Sequence, residues 1–240
     1  MHSIDCHVLM PADLASDRLR AAWAAELRED LDSEPVNQYW IQGIPGRLGA
    51  ARAAGFSRGS APFVAHVDPD DRILPGTFAA LENALIAAPC APFAWAGEVR
   101  VDADLVAIGL PSIPEQYSAR RHRNNISGHV HGVVLFRRAA VTQVLDQLSC
   151  WGRLADGMLR ARLGLAQEAL PSEGHPVAVS RVGLLWRQHD GNDHHEATAA
   201  DLREAELALG VRPQYLHVKR SMTRASASSC STCGPPPARR

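Results

Sequence analysis

Lysine is almost missing from this sequence: Lys219 is the single lysine among 25 basic residues, and the rest are arginine. A skew of that size reflects coding bias rather than so many separate bidentate anion sites. Net charge is lacking too, with 25 Lys+Arg against 26 Asp+Glu. That balance gives no overall field to hold a polyanion or an anionic membrane face, so no nucleic-acid partner is expected. No stretch approaches the roughly 18 uncharged apolar residues of a membrane span. The first residues, with Asp5, His7 and Asp13, also lack a basic-then-apolar leader. The expectation is a cytoplasmic chain with no transmembrane segment. Cysteine is sparse and odd in number (Cys6, Cys90, Cys150, Cys230, Cys233), which excludes a dense disulfide framework and favours reduced thiols. Cys230 and Cys233 have CxxC spacing but no second pair, which argues against structural zinc. No repeat of fixed period is present.

What remains is a chain of 240 residues, 46% hydrophobic with much of that alanine, which suits one helix-rich α/β domain with appendages. Asp5–Met10 reads as a strand, followed by Ser16 as N-cap of a helix carrying Leu19, Trp23 and Leu27 at i, i+4, i+8. The cycle repeats with a strand over 38–44 and a small-residue helix over 46–54 that closes near Gly55. It repeats again with a strand over 62–67, stopped by Asp68-Pro69-Asp70-Asp71. Pro75 then precedes a helix with Phe78, Leu81, Leu85 and Ala88 on one face. Strand alternating with helix predicts an open, largely parallel sheet, whose ligands bind at the carboxyl ends of its strands. Further strands are expected over 93–101, 132–136 and 177–186. Helices are expected from Val141 to Leu148, from Trp151 to Leu163 and through Leu202, Ala205 and Leu209. The segment 111–127, with Arg120, Arg121 and Arg123, reads as a long surface loop. From Ser221 the composition turns to Ser, Thr, Ala, Pro and Arg, which predicts a disordered tail over 221–240. Without that tail's three arginines the body carries 22 basic residues against 26 acidic, a balance suited to holding a cation locally.

The chemistry concentrates at positions 68–71. Several carboxylates on one turn repel each other unless a cation or water offsets them, and Mg²⁺ or Mn²⁺ commonly binds through one or two such groups while substrate phosphates complete the shell. A solvated turn capping the next helix is the plain alternative. His189, His194 and His195 with Asp190 and Asp193 read as a polar loop rather than a zinc site. His129 and His131 alternate along a strand-like stretch and read as ordinary surface or core histidines.

In order, the motifs Gly49-Ala50-Ala51-Arg52-Ala53-Ala54-Gly55, Val67-Asp68-Pro69-Asp70-Asp71 and Leu74-Pro75-Gly76 resemble the donor half of a family 2 glycosyltransferase of GT-A fold. Gly132 to Arg138 is similar to that family's strand and Arg-Arg helix start beside the acceptor pocket. Asp156 stands in place of its Glu-Asp pair, with Ala155 for the glutamate. Leu184 to Asn192 resembles its Arg-x-His-x-x-Asn segment over the diphosphate. The resemblance implies an α/β, mixed but mostly parallel sheet with helices on both faces, in one domain over residues 1–220. A donor half would run to about 102 and an acceptor half from about 103. It implies inverting, metal-dependent transfer of a sugar from a nucleoside-diphosphate donor to an unknown glycan or other hydroxyl acceptor, with Mn²⁺ or Mg²⁺ as cofactor. Asp156 would be the catalytic base, and Asp68, Arg52, Arg187 and Asp13 donor contacts. Asp70, Asp68 and His189 would be metal ligands, and Asp71 a more distant support. Ala53 in place of asparagine, Ala155, and a first strand ending Met10-Pro11-Ala12-Asp13 suggest the other reading: a catalytically degenerate domain serving as an assembly or carbohydrate-binding component with a protein partner.

Overall fold

The computed structural model describes residues 2–11, 17–126, 128–189 and 198–211. Asp13, Ser16, Asp190, Asp193, His194, His195, Cys230, Cys233 and the 221–240 tail lie outside the described residues. In chain order the strands are β1 (Ile4–Met10), β2 (Val36–Gln42), β3 (Phe63–Val67), β4 (Arg72–Ile73), β5 (Phe93–Val101), β6 (Val134–Arg137) and β7 (Val177–Arg187). The helices are α1 (Arg18–Asp32), α2 (Leu48–Phe56), α3 (Thr77–Ala87), α4 (Ala119–Asn124), α5 (Arg138–Thr142), α6 (Leu145–Cys150), α7 (Ala155–Leu165) and α8 (Ala199–Leu209). The sheet order is β2-β1-β3-β6-β5-β7-β4. Within it β1, β2, β3, β5 and β7 run one way, and β6 and β4 are reversed.

Alternation along the strands supplies two apolar faces, and helices cover both. Ile4, Cys6 and Val8 of β1 pack with Leu27 and Leu31 of α1 and with Phe78, Leu81 and Leu85 of α3. On the other face Val64, Phe93, Trp95, Val134 and Phe136 meet Phe56, Leu148, Met158 and Leu159. Each fully buried Leu or Phe contributes about 1.5–3 kcal/mol, so a one-residue register slip, which exposes a whole row, is strongly opposed.

Several local expectations shift. Asp17 caps α1, accepting from the N–H groups of Leu19 and Arg20 at 3.1 Å. Leu19 is exposed, and the buried stripe is Trp23, Leu27 and Leu31. Helix α3 starts after Gly76, which is left-handed at φ 74°. Its cap is the buried Glu34 from a distant segment, which accepts from the N–H groups of Gly76 and of Phe78, the latter at 2.9 Å. A carboxylate there complements the helix dipole. The helix expected from Val141 to Leu148 is broken into α5 and α6, and the one expected from Trp151 starts at Ala155. The segment 111–127 is not all surface loop: it contains α4, with Tyr117, His122 and Ile126 buried. Arg137 and Arg138 lie at the end of the sheet opposite the Asp68–Asp71 turn. Arg137 donates to the carbonyls of Leu85, Ala88 and Ala91 near the end of α3, and Arg138 pairs with Asp5. Both lie at the amino-terminal end of the parallel strands.

Candidate active site

β3 stops at Val67 because Pro69 has no N–H for the ladder, and the turn closes with the Asp71 N–H donating to the Asp68 carbonyl at 3.2 Å. The three carboxylates then diverge. The Asp68 side chain is 52% exposed and that of Asp70 22%, whereas Asp71 is buried. Asp71 accepts the backbone N–H of Arg187 at 2.9 Å, which ties the turn to the end of β7. Burial, with Asp70 and Asp68 close by, pushes the Asp71 carboxyl well above the ordinary carboxylate range.

Two residues beyond β7 stands His189, whose Nε2 lies 2.8 Å from Asp70 Oδ2. Its ring sits against Trp23 of α1, with centroids 4.9 Å apart. Arg187 is not directed at the cleft. Its guanidinium is 1% exposed, stacks over Trp23 at 4.6 Å and donates to Glu26 at 2.8 Å.

Arg52 of α2 is also buried, at 1% exposure, and joins the two halves of the site. Its Nε and Nη2 reach Asp156 of α7 at 3.0 Å each, and Nη2 reaches Asp68 at 2.5 Å. As placed, Arg52 is therefore a bridge between carboxylates and not an open donor contact. Burial raises the proton affinity of Asp156, but the Arg52 guanidinium outweighs it and holds the carboxyl well below the ordinary range. An ion pair of this kind opposes the proton uptake expected of Asp156. His66 of β3, 3.5 Å from Asp156, is driven down to about 3 by burial and then by Arg52, and stays neutral.

Asp68, Asp70, Asp156 and His189 are thus brought to one place, at the carboxyl ends of β3 and β7 and the start of α7. Asp13 lies outside the described residues. Among the described residues no three His, Cys, Asp or Glu side chains converge as a metal cluster. Asp70 Oδ2 and His189 Nε2 do present two ligand atoms side by side, with Asp68 adjacent. That set fits a hard divalent cation that takes one or two protein ligands and the remainder from substrate phosphates.

Several neighbours escaped the sequence reading. Glu98 of β5 is buried and hydrogen-bonded to Nδ1 of His131. Arg160, one turn after Asp156, faces Glu98, Asp156 and Asp68 electrostatically. Alternation put His129 and His131 on one side, yet they part: His129 accepts from the Ser118 N–H at 3.0 Å. A separate cleft of about 450 Å³, lined by Cys90, Arg137, Gln143 and Arg162, lies at the amino-terminal strand ends, away from this chemistry.

No family model matches the chain, and no curated protein matches it by sequence. Solved structures do. The chain is similar to S. aureus TarS residues 1–349 in complex with UDP-GlcNAc, at TM-score 0.57 and 10% identity over 85% of this chain and 66% of that one. The same TarS fragment alone gives 0.53 and 12% over 85% and 64%. With UDP it gives 0.55 and 10% over 86% and 64%. This chain has the GT-A fold. It spans just under two thirds of the TarS fragment. In GT-A terms, the Asp68–Asp71 turn occupies the carboxyl end of a central parallel strand, where an α/β sheet of this kind places its ligands. No helix among the described residues is long and apolar enough to cross a membrane.

Proposed function

We propose that the chain is a nucleotide-sugar glycosyltransferase, moving a sugar from a nucleoside-diphosphate donor to an acceptor hydroxyl by one inverting displacement. The observation that carries this reading is the meeting of Asp70 with His189, 119 positions apart, beside Asp68 at a parallel strand end. The GT-A fold and the UDP-GlcNAc bound by TarS support a uridine diphosphate sugar as the donor class.

Asp70 and His189 are the ligands for Mn²⁺ or Mg²⁺ in this reading, with Asp68 beside them for the ribose or a water-mediated contact. The bound cation would offset the charge that develops on the departing diphosphate. Trp23 and Glu26 hold Arg187, and through it the end of β7, so that His189 stays against Asp70. Asp71 fixes the turn from below. Asp156 is the base for the acceptor proton in this reading, and it can take that proton only when the Arg52 guanidinium turns away from it. The other reading, a degenerate domain that binds or assembles without turnover, draws on Arg52 already holding Asp68.

The test is release of UDP from UDP-GlcNAc, UDP-glucose and UDP-galactose with and without Mn²⁺. The expected result is Mn²⁺-dependent release that falls by about 10²-fold or more in Asp70→Asn. Neither turnover of any donor nor binding of UDP would leave the scaffold reading standing.

A further inference from the structure

Helix α7 carries a buried donor that the protein itself does not satisfy. Arg160 stands one turn after Asp156, so the two share a helix face. The backward tilt of helical side chains aims the guanidinium toward the start of the helix. Arg160 is part-buried, and its Nε is shut off from solvent with no hydrogen bond among the described residues. Three carboxylates surround it, Asp156 acting on it most, Glu98 next and Asp68 least. Each of them has another partner. Asp156 and Asp68 are held by Arg52, and Glu98 is hydrogen-bonded to His131. Arg52 adds a second unmet donor beside the same aspartate: its Nη1 is buried and has no acceptor among the described residues.

Buried donors without acceptors are few in folded proteins and call for an outside partner, an ordered water or a ligand. Two of them on guanidiniums beside a reaction base favour the ligand. An arginine fork prefers carboxylate and phosphate oxygens to neutral hydroxyls, because charge-assisted hydrogen bonds are about twice as strong. Position then decides which substrate brings the anion. The donor diphosphate belongs with Asp70 and His189, whereas Arg160 is on the helix of Asp156 and is acted on by Glu98 more than by Asp68. The Asp156 side chain is 19% exposed, which leaves it open to a hydroxyl arriving from solvent. The molecule that passes Asp156 to reach Arg160 is the acceptor.

We infer that Arg160, with Arg52 Nη1 beside it, binds a carboxylate or phosphate on the acceptor, which is therefore an acidic saccharide; this rests on the transferase reading above. The accepting hydroxyl lies at Asp156, and the acid group lies one helical turn, about 5 Å, further along α7. An anion held there also gives Arg52 a partner other than Asp156. That is the release Asp156 needs before it can take a proton. Arg160 binds and selects the acceptor, and Asp156 remains the base.

The experiment uses the full chain with Mn²⁺ and follows UDP release from UDP-GlcNAc, UDP-glucose and UDP-galactose, with glucose, glucuronate and glucose 6-phosphate as acceptors. At least one of the two acids is expected to exceed glucose in kcat/KM by about 10-fold or more, and the better of them tells carboxylate from phosphate. Arg160→Gln is expected to cut that acid-over-neutral ratio by about 10- to 100-fold, chiefly through acceptor KM, and Arg160→Lys to return part of it. A merely structural role would lower use of acid and neutral acceptors alike. Where neither acid is used, calorimetry of glucuronate and inorganic phosphate into the chain loaded with UDP and Mn²⁺ reads the site directly. Binding lost in Arg160→Gln supports the inference; no binding, or binding that survives Arg160→Gln, overturns it. Equal use of glucose and the acids, or an acid preference that survives Arg160→Gln, overturns it and leaves the transferase reading intact. So does a preference for UDP-glucuronate over UDP-glucose that Arg160→Gln abolishes, since the anion would then belong to the donor. Failure of the unaltered chain to bind UDP at all removes the transferase reading itself, and the acidic acceptor with it.

Discussion

Arg52 shows why some residues announce themselves and others do not. Aspartates at a strand end carry chemistry in their residue types, so the Asp68–Asp71 turn stood out before any geometry, whereas His189 in its polar run read as a loop residue and gained a role only through the family resemblance. Asp156 was readable only by analogy of place, and its ion pair with Arg52, 104 positions away, was not readable at all. Charge pairs across such distances leave no local pattern, and the same holds for Glu98 and His131, 33 positions apart. The pair makes a definite prediction. Arg52→Met removes the cation from two carboxylates, one of them Asp156 at 19% exposure, and should cost about 3–5 kcal/mol in denaturant unfolding. Adding Asp156→Asn should return part of that loss, because the second change removes the charge the first left unpaired. A double-mutant cycle with no coupling would show that the bridge contributes nothing to the folded state.

Among the elements, legibility followed short apolar runs and the helical period. β1, β3 and β5 lay close to their expected places because compact runs buried on both faces mark central strands, and α3 because Phe78, Leu81 and Leu85 form one buried stripe. α4 was missed because its segment, 111–127, is rich in proline, arginine and asparagine. Its reason to fold is tertiary: His122 is fully buried, with Nδ1 3.2 Å from the Tyr117 hydroxyl. Burial, and then the neighbouring His129, drive the His122 imidazole from its ordinary 6.5 down to about 3. The unfolded chain thus takes a proton below pH 6.5 that the folded chain refuses until about pH 3. Stability from this group is complete above the unfolded value and is lost as pH falls between the two, at about 1.4 kcal/mol per pH unit. Urea titrations at about pH 7.5 and about pH 4.5 should show a steep acid loss that is shallower in His122→Gln by that slope. An equal slope in both chains would mean that His122 is not kept neutral in the fold.

At the scale of the whole molecule, the α/β class and the position of the ligand end followed from strand–helix alternation alone. The antiparallel insertion of β6 between β3 and β5 did not, since no sequence period encodes strand order. That insertion matters because it separates the aspartate turn at the end of β3 from Glu98 on β5 and so opens the width of the cleft. Ligands that bind only where these distant segments meet must stabilise the entire fold, in proportion to ln(1 + [L]/Kd). UDP with Mn²⁺ at about 100 times Kd should add about 2.7 kcal/mol, which for a body of this size raises Tm by about 5–10 °C. Scanning calorimetry of the full chain should find that rise only with both present. Asp70→Asn, at a partly exposed position, should leave the unliganded Tm within about 2 °C and lose most of the Mn²⁺-dependent gain. A gain of equal size with UDP alone would take the cation out of the donor site, because Asp70 and His189 would then have nothing to hold for the diphosphate.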